Sequence, residues 1–175
     1  MKNQLEILKI AFGSQSFSSR EATSVGVSRF SLSKYVKMGE IERVARSTYI
    51  LPSYDPGDDF HFFDMAMIVK SNKNAVLCLV SALSYWGLTD LIPREIWIAI
   101  PNNIKSPKTA SNRLRIIRPR DIKTGIIKQQ ISSEIIKITD RERSICEAFK
   151  YLGLESATTC LRMYLQQDAE NIKFS

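Results

Sequence analysis

The stretch "GVSRFSLSKYVKMGEIERVARSTYILP", residues 26–52, decides how this chain is read. Ser28 stands where a helix N-cap belongs, since its hydroxyl can accept from a backbone N–H two or three residues on. The helix it opens runs over residues 29–38. Gly39 follows where a helix end favours a left-handed residue. "EIERVA" and "STYIL" then read as two strands of a hairpin, with Arg46 and Ser47 at the bend and Pro52 closing it. Projected at about 100° per residue, Leu32, Tyr35 and Val36 share one side of the helix. Phe30, Ser33, Lys34 and Lys37 fall on the other, with Arg29 on a flank.

Upstream, "NQLEILKIAF" has near-helical apolar spacing and predicts a first helix over residues 2–12. "GSQSFSS" is a break. Ser18 or Ser19 can cap a second short helix, about residues 19–25, with Glu21 in its first turn and Gly26 at its end. Three short helices followed by a hairpin make a winged helix-turn-helix. The outward face of the third helix suits a DNA major groove. Lys34 and Lys37 can neutralise phosphates and release counterions, which supplies affinity without sequence information. Arg29, near the helix start, can take a guanine edge with two hydrogen bonds. Ser28 and Ser33 can bond a base edge or a phosphate. Phe30 has two open readings: it presses on a thymine methyl, or it tucks under the wing or the next domain. On the hairpin, Arg46 is placed to enter a minor groove. Arg43 either joins it on the DNA or pairs with Glu40 or Glu42, a pairing worth little at a surface.

Charge is unevenly distributed along the 175 residues, whose formal net charge is +7. Residues 1–52 carry 8 basic and 4 acidic side chains, residues 53–101 carry 3 and 6, residues 102–130 carry 8 and 1, and residues 131–175 carry 6 and 7. Two basic zones flanking an acidic one fit a polyanionic partner. The three cysteines, Cys78, Cys146 and Cys160, show no paired spacing, which argues against a disulfide scaffold and fits a reducing compartment. "MKNQLEILKIAF" lacks the apolar stretch of a signal peptide, and no apolar run approaches the roughly 18 residues of a membrane span, so a cytoplasmic location with no membrane partner is expected.

"SYDPGDD", residues 53–59, is expected to separate a winged domain at 1–53 from a second domain at 58–175. There, "DFHFFDMAMIVKS" reads as an amphipathic helix, and "AVLCLVSALSYWGL" as a short apolar run and a buried helix ending at Gly87. "EIWIAIP", "RLRIIRP" and "EIIKIT" are strand-like. "TDRERSICEAFKYLG" reads as a helix with Thr139 as its cap, Glu142 reaching back, and Gly153 at its close. "ESATTCLRMYLQQ" is a last helix. The fold class expected is α+β. Arg113 and Arg115 share one face of a strand, with Arg118 and Arg120 just beyond. They form either a second phosphate-contacting surface or an edge strand guarded by charge against aggregation.

The run at 26–52 resembles the N-terminal domain of the abortive-infection type IV antitoxin family (AbiEi-like). The features shared are Gly26-Val27-Ser28, the glycine after the recognition helix, Glu42-Arg43-Val44-Ala45-Arg46, Tyr49 and Leu51-Pro52. Ser47 stands where the family usually has glycine. "AVLCLVSALSYWGLTDLIP", "EIWIAIP" and "IIKITDRERSICEAFKYLG" continue the resemblance in order over about residues 3–165. It implies a bacterial antitoxin that represses its own operon by binding promoter DNA and neutralises a nucleotidyltransferase toxin without requiring a stable complex. Family members commonly run on through further helices, so a second domain that is short or truncated is expected.

Catalysis is not expected, nor is any cofactor or metal. A metal-dependent nuclease core needs Glu-x-Lys on a strand beside an Asp. "EIW" lacks the lysine, and Glu134 and Lys137 are three apart, so on a strand they face opposite ways. The single histidine, His61, sits among phenylalanines as a packing residue. The competing reading is a winged-helix transcriptional regulator, without antitoxin action, that responds to a ligand or partner. "MAMIVKS" and the "WGL" region could line its pocket, although both fit a core better.

Overall fold

The computed structural model describes residues 3–107 and 114–173. It has α+β architecture and two compact units, Met1–Asn72 with Gln130–Ile135, and Lys73–Gln129 with Ile136–Ser175.

The first unit runs α1 (Gln4–Phe12), β1 (Phe17–Ser18), α2 (Ser19–Ser24), α3 (Arg29–Lys37), β2 (Glu42–Ala45), β3 (Thr48–Ile50), a 3-10 turn at Phe60–Phe62, and α4 (Phe63–Ser71). Local chemistry sets the helix ends. Ser18 and Glu21 form a reciprocal capping box: Ser18 Oγ accepts from the Glu21 N–H at 3.2 Å, and the Glu21 carboxylate accepts from the Ser18 N–H at 2.7 Å. Ser28 Oγ accepts from the Ser31 N–H at 3.1 Å to open α3. At the other end Gly39 has φ +73°, which lets the N–H of Glu40 reach the Tyr35 carbonyl at 3.0 Å and that of Gly39 reach Val36 at 3.1 Å. This doubled closure satisfies carbonyls the helix would otherwise leave unpaired.

The helices and sheet of this unit close on Leu5, Leu8, Phe17, Ala22, Val27, Leu32, Ile41 and Leu51. Phe17 is fully buried, with its ring stacked 4.6 Å from Phe12 and 5.8 Å from Tyr49. Its strand, β1, pairs antiparallel with β3, Phe17 opposite Tyr49 and Ser18 opposite Thr48. The wing is therefore three-stranded, in the order β1-β3-β2. Sequence alone makes this segment a break, because two residues are too few to show strand alternation. His61, expected to pack, is exposed on the 3-10 turn with its ring 3.9 Å from that of Phe60. In α4, Ala66, Met67 and Val69 are buried, as expected of a core helix.

The second unit contains β4 (Val76–Leu77), α5 (Leu79–Tyr85), β5 (Ile96–Ala99), β6 (Leu114–Ile117), β7 (Ile126–Ile131), β8 (Glu134–Thr139), α6 (Arg141–Tyr151) and α7 (Leu154–Lys173). The tip of the β7–β8 hairpin belongs to the first unit. The strands form a mixed sheet in the order β6-β5-β4-β8-β7. β5 runs antiparallel to β4 and parallel to β6, and β4 runs parallel to β8. The helices pack on Leu83, Leu88, Ile145, Ala148, Ala157 and Cys160. Strand β7 is not among the strands expected from the sequence. Its turn uses Ser132 and Ser133, at φ 47° and 61°, where Asn-Gly or Asp-Gly would have signalled the primed turn such a hairpin needs. The cap of α6 is also corrected. Asp140 accepts from the Arg143 N–H at 2.8 Å, whereas Thr139 is still in β8 and its hydroxyl bonds Ser144 at 2.7 Å. Gly125, just before β7, tolerates no side chain: at φ +63° an added Cβ would lie 2.8 Å from Arg143 Cβ. No helix among the described residues is long and apolar enough to cross a membrane.

Within the first unit, the hairpin tip is held by a buried carboxylate. Glu134, 2% exposed, accepts from the Ser16 N–H at 2.9 Å and from the Lys70 ammonium. Lys70 also donates to the Ser16 carbonyl at 3.0 Å. Beside it the Tyr54 hydroxyl donates to the Ser132 carbonyl, Ser132 Oγ donates to the Asp59 carbonyl at 2.6 Å, and Ser133 Oγ donates to the Asp55 carbonyl at 2.7 Å. Burial pushes the Tyr54 hydroxyl pKa well up, and the negative charges of Glu134 and Asp55 add to the effect. Residues 53–59, expected as a boundary, thus supply carbonyls that anchor residues 132 and 133. Glu134→Ala removes the partner of a partly buried ammonium and of the Ser16 N–H, and should cost about 2–3 kcal/mol in a urea titration. A change under about 0.5 kcal/mol, the range of ordinary surface substitutions, would show that the carboxylate holds nothing.

Candidate nucleic-acid interface

Helix α3 is seated by one fully buried side chain, Leu32, with Tyr35 and Val36 half-buried on the same face. The Tyr35 hydroxyl donates to Asn3 Oδ1 at 3.3 Å, tying α3 to the cap of α1. This is the inward face projected from the sequence. The opposite face is exposed at each position named from the sequence: Ser28, Arg29, Phe30, Ser33, Lys34 and Lys37 on the helix and its cap, Arg43 and Arg46 on the wing. Phe30 is 82% exposed, so it does not tuck under a neighbour. A phenyl ring held in water is unfavourable until something covers it.

The hydroxyls have local duties as well. Ser28 Oγ is the cap of α3 and lies 3.0 Å from Ser31 Oγ, and Ser33 Oγ donates to the Arg29 carbonyl at 3.1 Å. Both oxygens keep lone pairs that can accept from a base amino group. Arg43 is in no ion pair among the described residues. Its Nε donates to the Ala45 carbonyl at 3.4 Å, which lays the guanidinium along the ribbon. A register shift between Arg43 and Ala45 marks a bulge in β2, and bulges increase local twist. At the bend Ser47 adopts φ +59°, the left-handed region that glycine enters without strain and serine does not.

The second basic segment is built differently. β6 is the edge of its sheet, and exposed Arg115 sits with its guanidinium carbon 5.4 Å from the centre of the Trp97 ring. Arg118 donates to the carbonyls of Pro101 at 2.7 Å and Asn102 at 3.1 Å and to Ser106 Oγ at 3.3 Å, so much of its fork is committed to a loop. Arg120 is exposed, and Arg113 lies outside the described residues. Among the described residues no group of three His, Cys, Asp or Glu side chains is placed to hold a metal ion. Leu88, the leucine of "WGL", is fully buried, in keeping with core.

Sequence reasoning does not single out Arg20. It is exposed on α2 and borders a concavity with Thr23, Ser24, Ser28 and Arg29. Its signal is faint: a cation two residues after the cap of a helix that by itself reads only as a spacer.

Three short helices, a wing, and a cationic outward face on the third helix make a winged helix-turn-helix. Residues 6–52 match the family described as "Transcriptional regulator, AbiEi antitoxin", so the resemblance read from the sequence holds over that segment. The fold is similar to that in the crystal structure of RV2827C protein from Mycobacterium tuberculosis, with TM-score 0.51 and 13% identity. That likeness covers 76% of this chain and 54% of the other, so this chain spans about half the length of the structure it matches. No curated protein matches the chain. The left-handed bend yields a direct check. Ser47→Gly should stabilise the fold by about 1 kcal/mol by relieving backbone strain, seen as a higher urea midpoint with an unchanged slope.

Proposed function

We propose that this chain is an antitoxin of a bacterial type IV toxin–antitoxin system, acting in the cytoplasm and without catalysis of its own. It represses its own operon by binding promoter DNA through residues 1–53, with α3 in the major groove and the wing alongside. It neutralises a nucleotidyltransferase toxin through residues 58–175. The observation that carries the DNA half is the two-sidedness of α3: Leu32 fully buried, and Arg29, Phe30, Lys34 and Lys37 all exposed opposite it. Lysines held on the outer face of a fixed helix gain most from a polyanion, because released counterions supply the free energy. Phe30 supplies an apolar surface for a thymine methyl, and Ser28 and Ser33 supply lone pairs for base amino groups. Arg46 at the bend of the wing enters the adjoining minor groove, with Arg43 on the flanking backbone.

The antitoxin role is supported by the description of the matched family, a match that lies over residues 6–52, within the DNA-binding half. The ligand-sensing alternative loses ground because Ala66, Met67, Val69 and Leu88, from the segments that could line its pocket, lie in cores. In the basic segment, Arg115 and Arg120 remain available to a polyanion, whereas Arg118 is a loop anchor. Arg118→Ala therefore serves as a control.

Two measurements test this. Lys37→Ala with Arg46→Ala should weaken binding to duplex from the chain's own upstream region and lower the slope of log affinity against log salt by about 2, one for each cation withdrawn from the polyanion. An unchanged slope would refute the docking. In cells expressing the neighbouring nucleotidyltransferase, the intact chain should restore growth. The same double variant should still do so while losing repression. Failure of the intact chain to rescue would refute the antitoxin role.

A further inference from the structure

The concavity between α2 and the start of α3 is lined by Arg20, Thr23, Ser24, Ser28 and Arg29. The residues around it carry two guanidinium groups, three hydroxyls and no carboxylate, while most of the surface they turn to the hollow is apolar. The hydroxyl protons of the α2 residues are already committed, since Thr23 Oγ1 donates to the Ser19 carbonyl at 2.8 Å and Ser24 Oγ to the Glu21 carbonyl at 2.7 Å. Ser28 Oγ is the cap of α3. The charged donors for a ligand come from Arg20 and Arg29, both exposed, and neither is in an ion pair among the described residues. Two cations that border one hollow and lack an ion pair can both be satisfied by a single anion placed in it. A planar fork of N–H donors matches the oxygens of a phosphate, which accepts two parallel hydrogen bonds.

We propose that this hollow is a clamp for one phosphodiester group of the duplex backbone, with Arg20 and Arg29 as its two jaws. This rests on the DNA-binding reading above and deepens it. The ligand is a backbone phosphate and not a free anion, because the hollow is continuous with α3: it ends at Ser28 and Arg29, the cap and first residue of the helix whose outer face carries Lys34 and Lys37. In helix-turn-helix docking the element before the recognition helix crosses the DNA backbone, where α2 would place Arg20. The clamp also reassigns Arg29. From sequence it is a reader of guanine; sharing a hollow with Arg20 makes it a positioning residue. It fixes the register of α3 and leaves base discrimination to Phe30 and Ser33.

The test uses the full chain, a duplex from its own upstream region, and a scrambled duplex of equal length, across a salt series. Arg20→Ala and Arg29→Ala should each weaken both duplexes to the same extent, by about 3- to 10-fold near 0.1 M salt, and each should lower the salt slope by about 1. Arg20→Lys should restore the slope but only part of the affinity, since charge returns without the fork. Replacing backbone phosphates one at a time by neutral methylphosphonate should reveal a position that weakens the wild type and leaves Arg20→Ala unaffected. Arg29→Ala acting only on the upstream duplex, with an unchanged slope, would overturn the clamp and return Arg29 to base reading. If Arg20→Ala changes nothing while Lys34→Ala with Lys37→Ala still weakens binding, the clamp is wrong and the docking stands. If neither variant changes binding, both are wrong. Urea midpoints within error of wild type confirm that these exposed substitutions left the fold intact.

Discussion

Burial of Leu32 in the core of the first unit is the constraint on which the rest depends. A nine-residue helix in water does not hold itself, because nucleating it costs more than its few hydrogen bonds return. α3 exists because Leu32, with Tyr35 and Val36 beside it, closes onto Leu8, Phe17, Ala22 and Val27. The Ser28 cap and the Gly39 closure set its length. With one side fixed and both ends stopped, the side chains at positions 29, 30, 33, 34 and 37 have one direction left, towards solvent. The cationic face is a consequence of where the apolar residues had to go.

The wing is stiffened by features with little individual stability. β1 contributes two residues, yet it turns a two-stranded ribbon, marginal on its own, into a three-stranded sheet with a buried Phe17 beneath it. The residue just before β1, Ser16, is gripped through its N–H by Glu134 and through its carbonyl by Lys70. A buried ion pair of this kind adds little net stability compared with apolar packing. Its backbone bonds do fix one register for the strand that follows. Such a contact serves specificity of fold more than strength, as expected where a bend bearing Arg46 must be presented in one orientation.

Basic residues that look alike in the sequence perform different tasks. Lys34 and Lys37 stand exposed and in no ion pair among the described residues. Arg118 braces a loop, Arg143 reaches the Asp121 carbonyl at 2.7 Å to shape the approach to β7, and Arg115 lies over Trp97. The Asp121 carboxyl is held down at about 2 by the Thr124 and Lys123 donors that fold around it. Charge along the chain therefore marks two basic zones, but it does not separate cations that hold the protein from cations free to hold something else.

The sequence by itself determined whatever is settled within three or four residues. A cap of α2 at Ser18 or Ser19 with Glu21 in its first turn, the Ser28 cap, the glycine closure of α3, the hairpin bend at Arg46 and Ser47 and the two faces of α3 are all legible, because each depends on contacts one helical turn or one hairpin long; that Ser18 and Glu21 cap each other reciprocally came from the structure. Even there the cap of α6 is misplaced by one residue, since Thr139 and Asp140 are both competent caps and only strand pairing shows that Thr139 is still in β8. Tertiary structure alone decided β1, β7, the seating of the 130–135 tip in the first unit, and the hollow that joins Arg20 to Arg29. Glu134 and Ser16 are 118 residues apart. A pairing of that kind leaves no periodic trace in either segment, because it arises when two surfaces meet and each supplies what the other lacks.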